Sequence, residues 1–266
     1  NSISADGRFL AFADYQNRAG DVAVRDLGTG EIRYLTSEAS DDSLSGTAVF
    51  SPDGQQIVYG WFDSNVLREL RIVNRDGTGG RILRAGDGKS SIDPQDWSSD
   101  GKRILARRTK AANPRNIRER VNEIVSISAS DGSLRMLKML DWRFGKMAFS
   151  PDGRHIAYDF PAKMTPSTHD IFLLSSDGSS ESVLVEHPAF DYVVDWSPDG
   201  KSLFFGSDRT GDWALWRVSV AEGRAQGLPE LVKRHVGMIT GIGVTSSGAL
   251  YYKLGGRSND VYAVAR

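Results

Sequence analysis

The sequence predicts an all-β fold, a six-bladed β-propeller of four-stranded antiparallel blades. Three observations predict it. Ser-Pro-Asp-Gly stands at 51–54, 150–153 and 197–200, and looser copies stand at 4–7, 98–101 and 245–248. The closing glycines, Gly7, Gly54, Gly101, Gly153, Gly200 and Gly248, are 47, 47, 52, 47 and 48 residues apart, a period typical of arrays that repeat one supersecondary unit. Short alternating or apolar runs follow each copy, and long helical periodicity is absent throughout.

Each unit supplies four strands. An aromatic residue (Phe50, Trp97, Phe149 or Trp196) closes the first strand ahead of the Ser. Asp-Gly then makes a hairpin turn, because Gly takes φ > 0 freely and Asp tolerates the turn. Second strands read "RFLAFA", "QQIVYG", "KRILAR", "RHIAYD", "KSLFFG" and "ALYYKL". Third strands read "DVAVRDL", "ELRIVNR", "NEIVSIS", "DIFLLSS", "ALWRVSV" and "DVYAVAR". Fourth strands read "EIRYLT", "RILRAG", "LRMLKML", "SVLVEH" and "ELVKRH", five in all. The chain is expected to be one domain with blades at 1–46, 47–91, 92–143, 144–190, 191–236 and 237–266, the last incomplete. An open ring exposes edge strands, so the missing strand is expected upstream of Asn1 or beyond Arg266. Phe12, Tyr59, Phe149, Tyr158, Phe204 and Tyr252 are the predicted core.

Composition narrows the function classes. Lys and Arg number 33 against 34 Asp and Glu in 266 residues, for a net charge of -1, so no overall field draws the protein to nucleic acid or an anionic membrane. The absence of cysteine excludes disulfides, thiolate zinc sites and a Cys nucleophile, and suits a periplasmic or other extracytoplasmic setting. No apolar run approaches the ~18–20 residues of a membrane helix, and no membrane insertion is expected. The start at Asn1, without Met or a leader, is expected to reflect a removed signal peptide or a piece of a longer chain.

The segments "FSPDG" with "IAY" in blade four, "DWSPDGKSLFF" with "SDRTGDWALW" in blade five, and "DWSSDGKRIL" in blade three resemble the TolB-type, WD40-like (PD40) propeller repeat. The resemblance spans the chain. It implies a bacterial six-bladed ring that binds another protein or gates access to one, as in the periplasmic Tol-Pal component, in front of prolyl-oligopeptidase-like hydrolases, or in sensor-like modules. Blade six, with Thr245-Ser-Ser-Gly, and blade three, with a long insertion, depart from the pattern.

Motifs for chemistry are sparse. "RAGDGKSS" at 84–91 lacks the earlier Gly of a phosphate loop, that place being Leu83, and it leaves a strand without opening a helix. No G-x-S-x-G elbow occurs. His155, His169, His187 and His235 show no pair at metal-ligand spacing, and each Asp-rich turn offers one carboxylate where a calcium loop needs several. No catalytic residue, metal site or cofactor is predicted.

Three places remain as candidate contact sites. Asp96 and Asp195 each precede the Trp of a first strand. If Trp97 and Trp196 pack between blades, strand alternation turns these carboxylates toward the central channel. There they bind a ligand, or they cap a turn or pair with a neighbouring Arg or Lys. Asp208, Arg209, Asp212 and Trp213 form a charged loop with an aromatic, suited to partner anchoring or to bracing. The insertion at 107–122 holds Arg107, Arg108, Lys110, Arg115, Arg118 and Arg120 against Glu119. It is the leading candidate for docking an acidic protein face. Pro161 and Pro166 restrict a second irregular segment at 159–170, expected to emerge on the same face as that insertion.

The expectation is thus a monomeric, non-enzymatic scaffold for another protein or another domain of its parent chain. The alternatives are the accessory propeller of a hydrolase and a ring that holds a small ligand or metal in its channel.

Overall fold

The computed structural model describes residues 1–63, 67–113, 116–140, 145–161, 168–234, 236–254 and 261–264. Contacts divide the chain into two compact units, Asn1–Asp141 and Trp142–Arg266, and each carries three antiparallel sheets. In the first, blade one is β1 (Ser2–Ile3), β2 (Phe9–Asp14), β3 (Asp21–Asp26) and β4 (Ile32–Tyr34). Blade two is β5 (Ser43–Phe50), β6 (Gln56–Asp63), β7 (Leu67–Asn74) and β8 (Arg81–Arg84). Blade three is β9 (Ser90–Trp97), β10 (Arg103–Asn113), β11 (Asn116–Ser128) and β12 (Leu134–Leu140). In the second unit, blade four is β13 (Met147–Phe149), β14 (His155–Phe160), β15 (Asp170–Ser175) and β16 (Glu181–Val185). Blade five is β17 (Asp191–Trp196), β18 (Ser202–Ser207), β19 (Ala214–Ala221) and β20 (Arg224–Lys233). Blade six has β21 (Ile239–Val244), β22 (Leu250–Leu254) and β23 (Val261–Val264). Strands pair in chain order within every sheet, and blade six shows three strands among the described residues.

The repeated tetrapeptide is a self-contained turn. Ser4, Ser51, Ser98, Ser150 and Ser197 each donate their hydroxyl to the Asp two residues on, at 2.5–2.6 Å. Each hydroxyl also accepts the N–H of the residue five on, at 2.9–3.0 Å. The Asp in turn accepts the N–H two residues beyond itself, at 3.0–3.1 Å. Gly54, Gly101, Gly153 and Gly200 hold φ between 67° and 72°, the left-handed region that Gly adopts without a Cβ penalty. In blade six Ser247 replaces the Asp. Thr245 Oγ1 and Ser247 Oγ lie 2.9 Å apart, and Ala249 N–H donates to Thr245.

These turns carry an acid dependence. The Ser hydroxyls, then the backbone N–H groups, hold Asp6, Asp53 and Asp100 below the ordinary 3.8. In a third-to-fourth-strand turn, hydrogen bonds from Ser128 and Ser133 bring Asp131 down to about 2. A carboxyl depressed in the folded state stabilises it above its unfolded value, and that stability is lost as pH falls through the folded value. Stability is therefore expected to fall steeply between about pH 4 and pH 2. Ser51→Ala with Ser98→Ala should cost about 1 kcal/mol each near neutral pH and flatten that slope. Urea unfolding across the range measures both, and an unchanged slope would contradict the turn's role.

Four first strands are bulged. The pairing skips Gln95 in β9, Val194 in β17, Ile242 in β21 and a longer stretch between Ser45 and Ala48 in β5. Two residues then face one across the ladder, which bends the strand and frees backbone groups. Cores lie between neighbouring sheets of each unit. Trp97 packs with Val49, Val58, Leu70 and Ile72 of blade two, and Trp196 with Ala148, Ala157, Ile171 and Leu173 of blade four, as alternation predicts. Tyr59, Phe149, Tyr158, Phe204 and Tyr252 are buried. Phe12 is only half buried; Ala11, on the opposite face of the strand, is fully enclosed in the core with Val22, Val24 and Phe50.

Candidate functional site

Asp96 and Asp195 sit immediately after the bulged residue of their strands. Each accepts the N–H of the Trp that follows, Asp96 from Trp97 at 2.7 Å and Asp195 from Trp196 at 2.9 Å. Asp195 also receives Lys146 Nζ from blade four at 3.0 Å, and the same ammonium donates to Val194 O at 2.8 Å. Both carboxylates thus accept the backbone N–H of the residue that follows them, and Asp195 also pairs with a lysine of the neighbouring blade.

In blade three the insertion lengthens the β10–β11 hairpin. Its basic residues nearest the sheet face acids that spacing along the sequence did not reveal. Arg108 is the direct cross-strand partner of Glu123, and its guanidinium binds that carboxylate. Lys110 Nζ reaches the other oxygen of Glu123 at 2.9 Å, and Arg107 lies 3.7 Å from Asp93 on β9. Glu123 is 2% exposed, and Arg108 and Lys110 supply the counter-charge that a buried carboxylate requires. Beyond them the hairpin outruns its sheet. β10 and β11 pair as far as Asn113 and Asn116, whereas among the described residues β9 pairs β10 to Lys110 and β12 pairs β11 to Asn122. Arg120 is exposed on this arm. Arg115 and the Arg118 side chain lie outside the described residues.

In the blade-five loop, Arg209 braces β17, the first strand of its blade. Its Nη2 reaches both oxygens of Asp191 at 2.8 and 2.9 Å, and the guanidinium lies over Phe205 and Trp216 at 5.0 and 5.1 Å. Burial raises the Asp191 carboxyl, while the Ser207 hydroxyl and Arg209 pull it down. Asp208 Oδ1 accepts Phe190 N–H at 2.9 Å, and Asp212 is exposed. Trp213, half buried, meets Phe190 and Tyr192 edge-on at 5.9 and 5.5 Å.

Sequence reasoning missed a buried pair beside this cluster. Asp159 Oδ2 accepts His169 Nδ1–H at 2.9 Å, with side chains 1% and 9% exposed, and His169 stacks on Phe190 at 4.1 Å. Asp159 also accepts Gly145 N–H at 3.2 Å and Val193 N–H of blade five at 3.3 Å. Counting six residues from each turn glycine would have found its place. Gly60 and Gly206 hold the same position in blades two and five. A Cβ on Gly60 would stand 3.2 Å from Ile92 O of blade three. Gly206 leaves room for the Tyr192 ring, whose hydroxyl accepts Ile239 N–H of blade six at 2.9 Å. One repeat position thus meets the next blade's first strand in three ways.

The segment 84–91 joins β8 to β9. Asp87 accepts N–H groups of Lys89 and Ser90 at 2.9 and 2.7 Å, an Asp-centred turn. His235 and residues 162–167 of the Pro-containing segment lie outside the described residues.

No protein-family model matches the chain. A 72-residue stretch is 33% identical to an uncharacterized protein of Agrobacterium fabrum, covering 27% of this chain and 24% of that protein. A 76-residue stretch is 33% identical to a dipeptidyl-peptidase 5 of Porphyromonas gingivalis, covering 27% of this chain and 11% of the peptidase. The matches therefore span less than a quarter of those proteins. Among solved structures, an oligogalacturonate lyase in complex with manganese superposes with a TM-score of 0.69 at 14% identity, over 99% of this chain and 72% of that one. TolB from Acinetobacter baumannii gives 0.67 at 14% identity, over 94% and 62%. A prolyl endopeptidase gives 0.65 at 13% identity, over 100% and 41%. Likeness at such identity shows the fold.

Proposed function

We propose that this chain, whose fold is a TolB-type six-bladed β-propeller, is a non-catalytic interaction module that docks an acidic protein face on the β10–β11 arm. The observation that carries this reading is the arm's reach beyond its own sheet. A two-stranded ribbon is marginal alone in water, and a docked partner would supply the missing contacts. Charge supports the same reading. Beyond the basic residues that bind Glu123 and Asp93 at the sheet, the sequence of the arm adds Arg115, Arg118 and Arg120 against Glu119, an excess of positive charge that suits an acidic face.

The test uses a poly-glutamate peptide as probe. Arg118→Glu with Arg120→Glu should weaken binding on the order of tenfold or more, since like charges now meet, and leave the melting temperature in place. Affinity should also fall with added salt. Binding that survives the double charge reversal would overturn the reading.

The 33% identity to a segment of a dipeptidyl-peptidase favours a second reading, an accessory propeller beside a hydrolase domain. A parent gene encoding on the order of 250 further residues with a G-x-S-x-G elbow would select it.

A further inference from the structure

The six repeats allow equivalent positions to be compared from blade to blade. Two positions that vary among the blades are brought together in the first unit by Phe9 and Arg75. Two residues after each turn glycine stand Phe9, Gln56, Arg103, His155, Ser202 and Leu250. Phe9 places a half-buried phenyl ring where four of the six blades carry a polar residue. The residue whose N–H bonds back to the second strand's turn is Leu27, Ala129, Ser176 or Val220 in four blades. In blade two it is Arg75, whose guanidinium lies over the Phe9 ring at 4.2 Å.

Between these departures lies a cleft of about 320 Å³, walled by blades one and two. That is the lower end of small-ligand sites. Phe9 and Val24 supply its apolar wall, and Arg8, Arg33 and Arg75 its cations, Arg8 being paired with Asp26. Most of its acids are already engaged. Asp26 accepts the Arg8 guanidinium and the Gly28 and Thr29 N–H groups, and Asp76 accepts the Thr78 N–H and hydroxyl. Among the described residues neither Arg33 nor Arg75 forms an ion pair. The carboxylates that feel Arg75, those of Asp6 and Asp53, are bonded to Ser4 and Ser51. Besides the paired Arg8, the guanidinium groups of Arg33 and Arg75 therefore line the cleft beside an aromatic wall, with exposed Glu31 among the lining residues.

We propose that this cleft binds a single carboxylate that adjoins an apolar group, the chemistry shared by a peptide C-terminus and a small acylated amino acid. Arg33 and Arg75 receive the carboxylate, because guanidinium groups match its planar geometry. Phe9 and Val24 receive the apolar group. Glu31 selects against a second negative charge. The inference is independent of the β10–β11 arm.

N-acetyl-leucine is the first probe, titrated into the whole chain and followed by amide chemical shifts. Shifts at Phe9, Val24 and Arg75 should saturate, and N-acetyl-leucinamide, which lacks the charge, should bind at least tenfold more weakly. Arg75→Ala and Arg33→Ala should each lose tenfold or more in affinity while the melting temperature stays within a few degrees. A pentapeptide ending in Leu that binds tenfold tighter than the acetyl amino acid assigns the site to a peptide C-terminus. Equal affinity assigns it to the small acid. Absent shifts in the millimolar range, or equal binding of acid and amide, overturns the proposal. So does full affinity in both Arg variants.

Discussion

Replacing Arg209 by methionine is expected to lower the melting temperature by on the order of 10 °C near neutral pH, although the residue stands in a loop. Its side chain is 10% exposed and Asp191 is 0% exposed, so the substitution strands a carboxylate without a counter-charge. Breaking a buried pair from one side costs about 3–5 kcal/mol, and each kcal/mol moves the midpoint of a chain this size by roughly 2–4 °C. The pH dependence identifies the cause. Burial already raises Asp191, and Arg209 is one of the groups that hold it down. Without the guanidinium the folded carboxyl climbs further above its unfolded value of 3.8. A group raised in the folded state stabilises it below the unfolded value and loses that contribution as pH rises. The deficit of Arg209→Met relative to the native chain should therefore be full near neutrality and shrink toward about pH 4. Adding Asp191→Asn should recover much of it near neutral pH. If the double variant is no better than the single, the stranded charge is not the cause.

Trp196→Ala should cost about 3–5 kcal/mol of unfolding free energy. The indole is 3% exposed and fills the space between blades four and five against Ala148, Ala157, Ile171 and Leu173. Its Nε1–H donates to Ala148 O at 3.3 Å. Two of those neighbours are alanines and cannot swing in to close the gap, so the cavity term adds to the lost transfer energy. Trp196→Phe keeps most of the apolar volume and should recover more than half the loss. Urea unfolding measures both variants. A loss below about 1 kcal/mol for Trp196→Ala would mean that stability does not reside in packing between sheets.

The fold was legible because its defining interactions are local. Every bond of the Ser-x-Asp-Gly turn joins residues no more than five apart, so a short motif states the whole geometry. Strand boundaries followed from those turns, and the Trp97 and Trp196 placements followed from alternation. The candidate sites were less legible because they depend on register. Glu123 neutralises Arg108 and Lys110 from 15 and 13 residues away, and only the pairing of β10 with β11 brings them face to face. Asp159 and His169 stand ten residues apart, and Asp159 also reaches Val193, 34 residues away. Asp96 and Asp195 turn on a bulge that no turn residue announces. The Phe9–Arg75 cleft needed both the repeat alignment and the contact between blades one and two.

Repeats built on one plan face a sorting problem, since any blade could in principle seat beside any other. The contacts between blades four, five and six answer it with unlike keys. Blade four offers blade five the Asp159 carboxylate and the Lys146 ammonium, whereas blade five offers blade six a phenol above a bare glycine. A chain in which blades four and five exchange places would press the Tyr192 ring and the Asp159 carboxylate against strands cut for the other. The order of the blades is thus written into the seams as well as into the sequence, and a shuffled chain would misassemble even though each hairpin still formed.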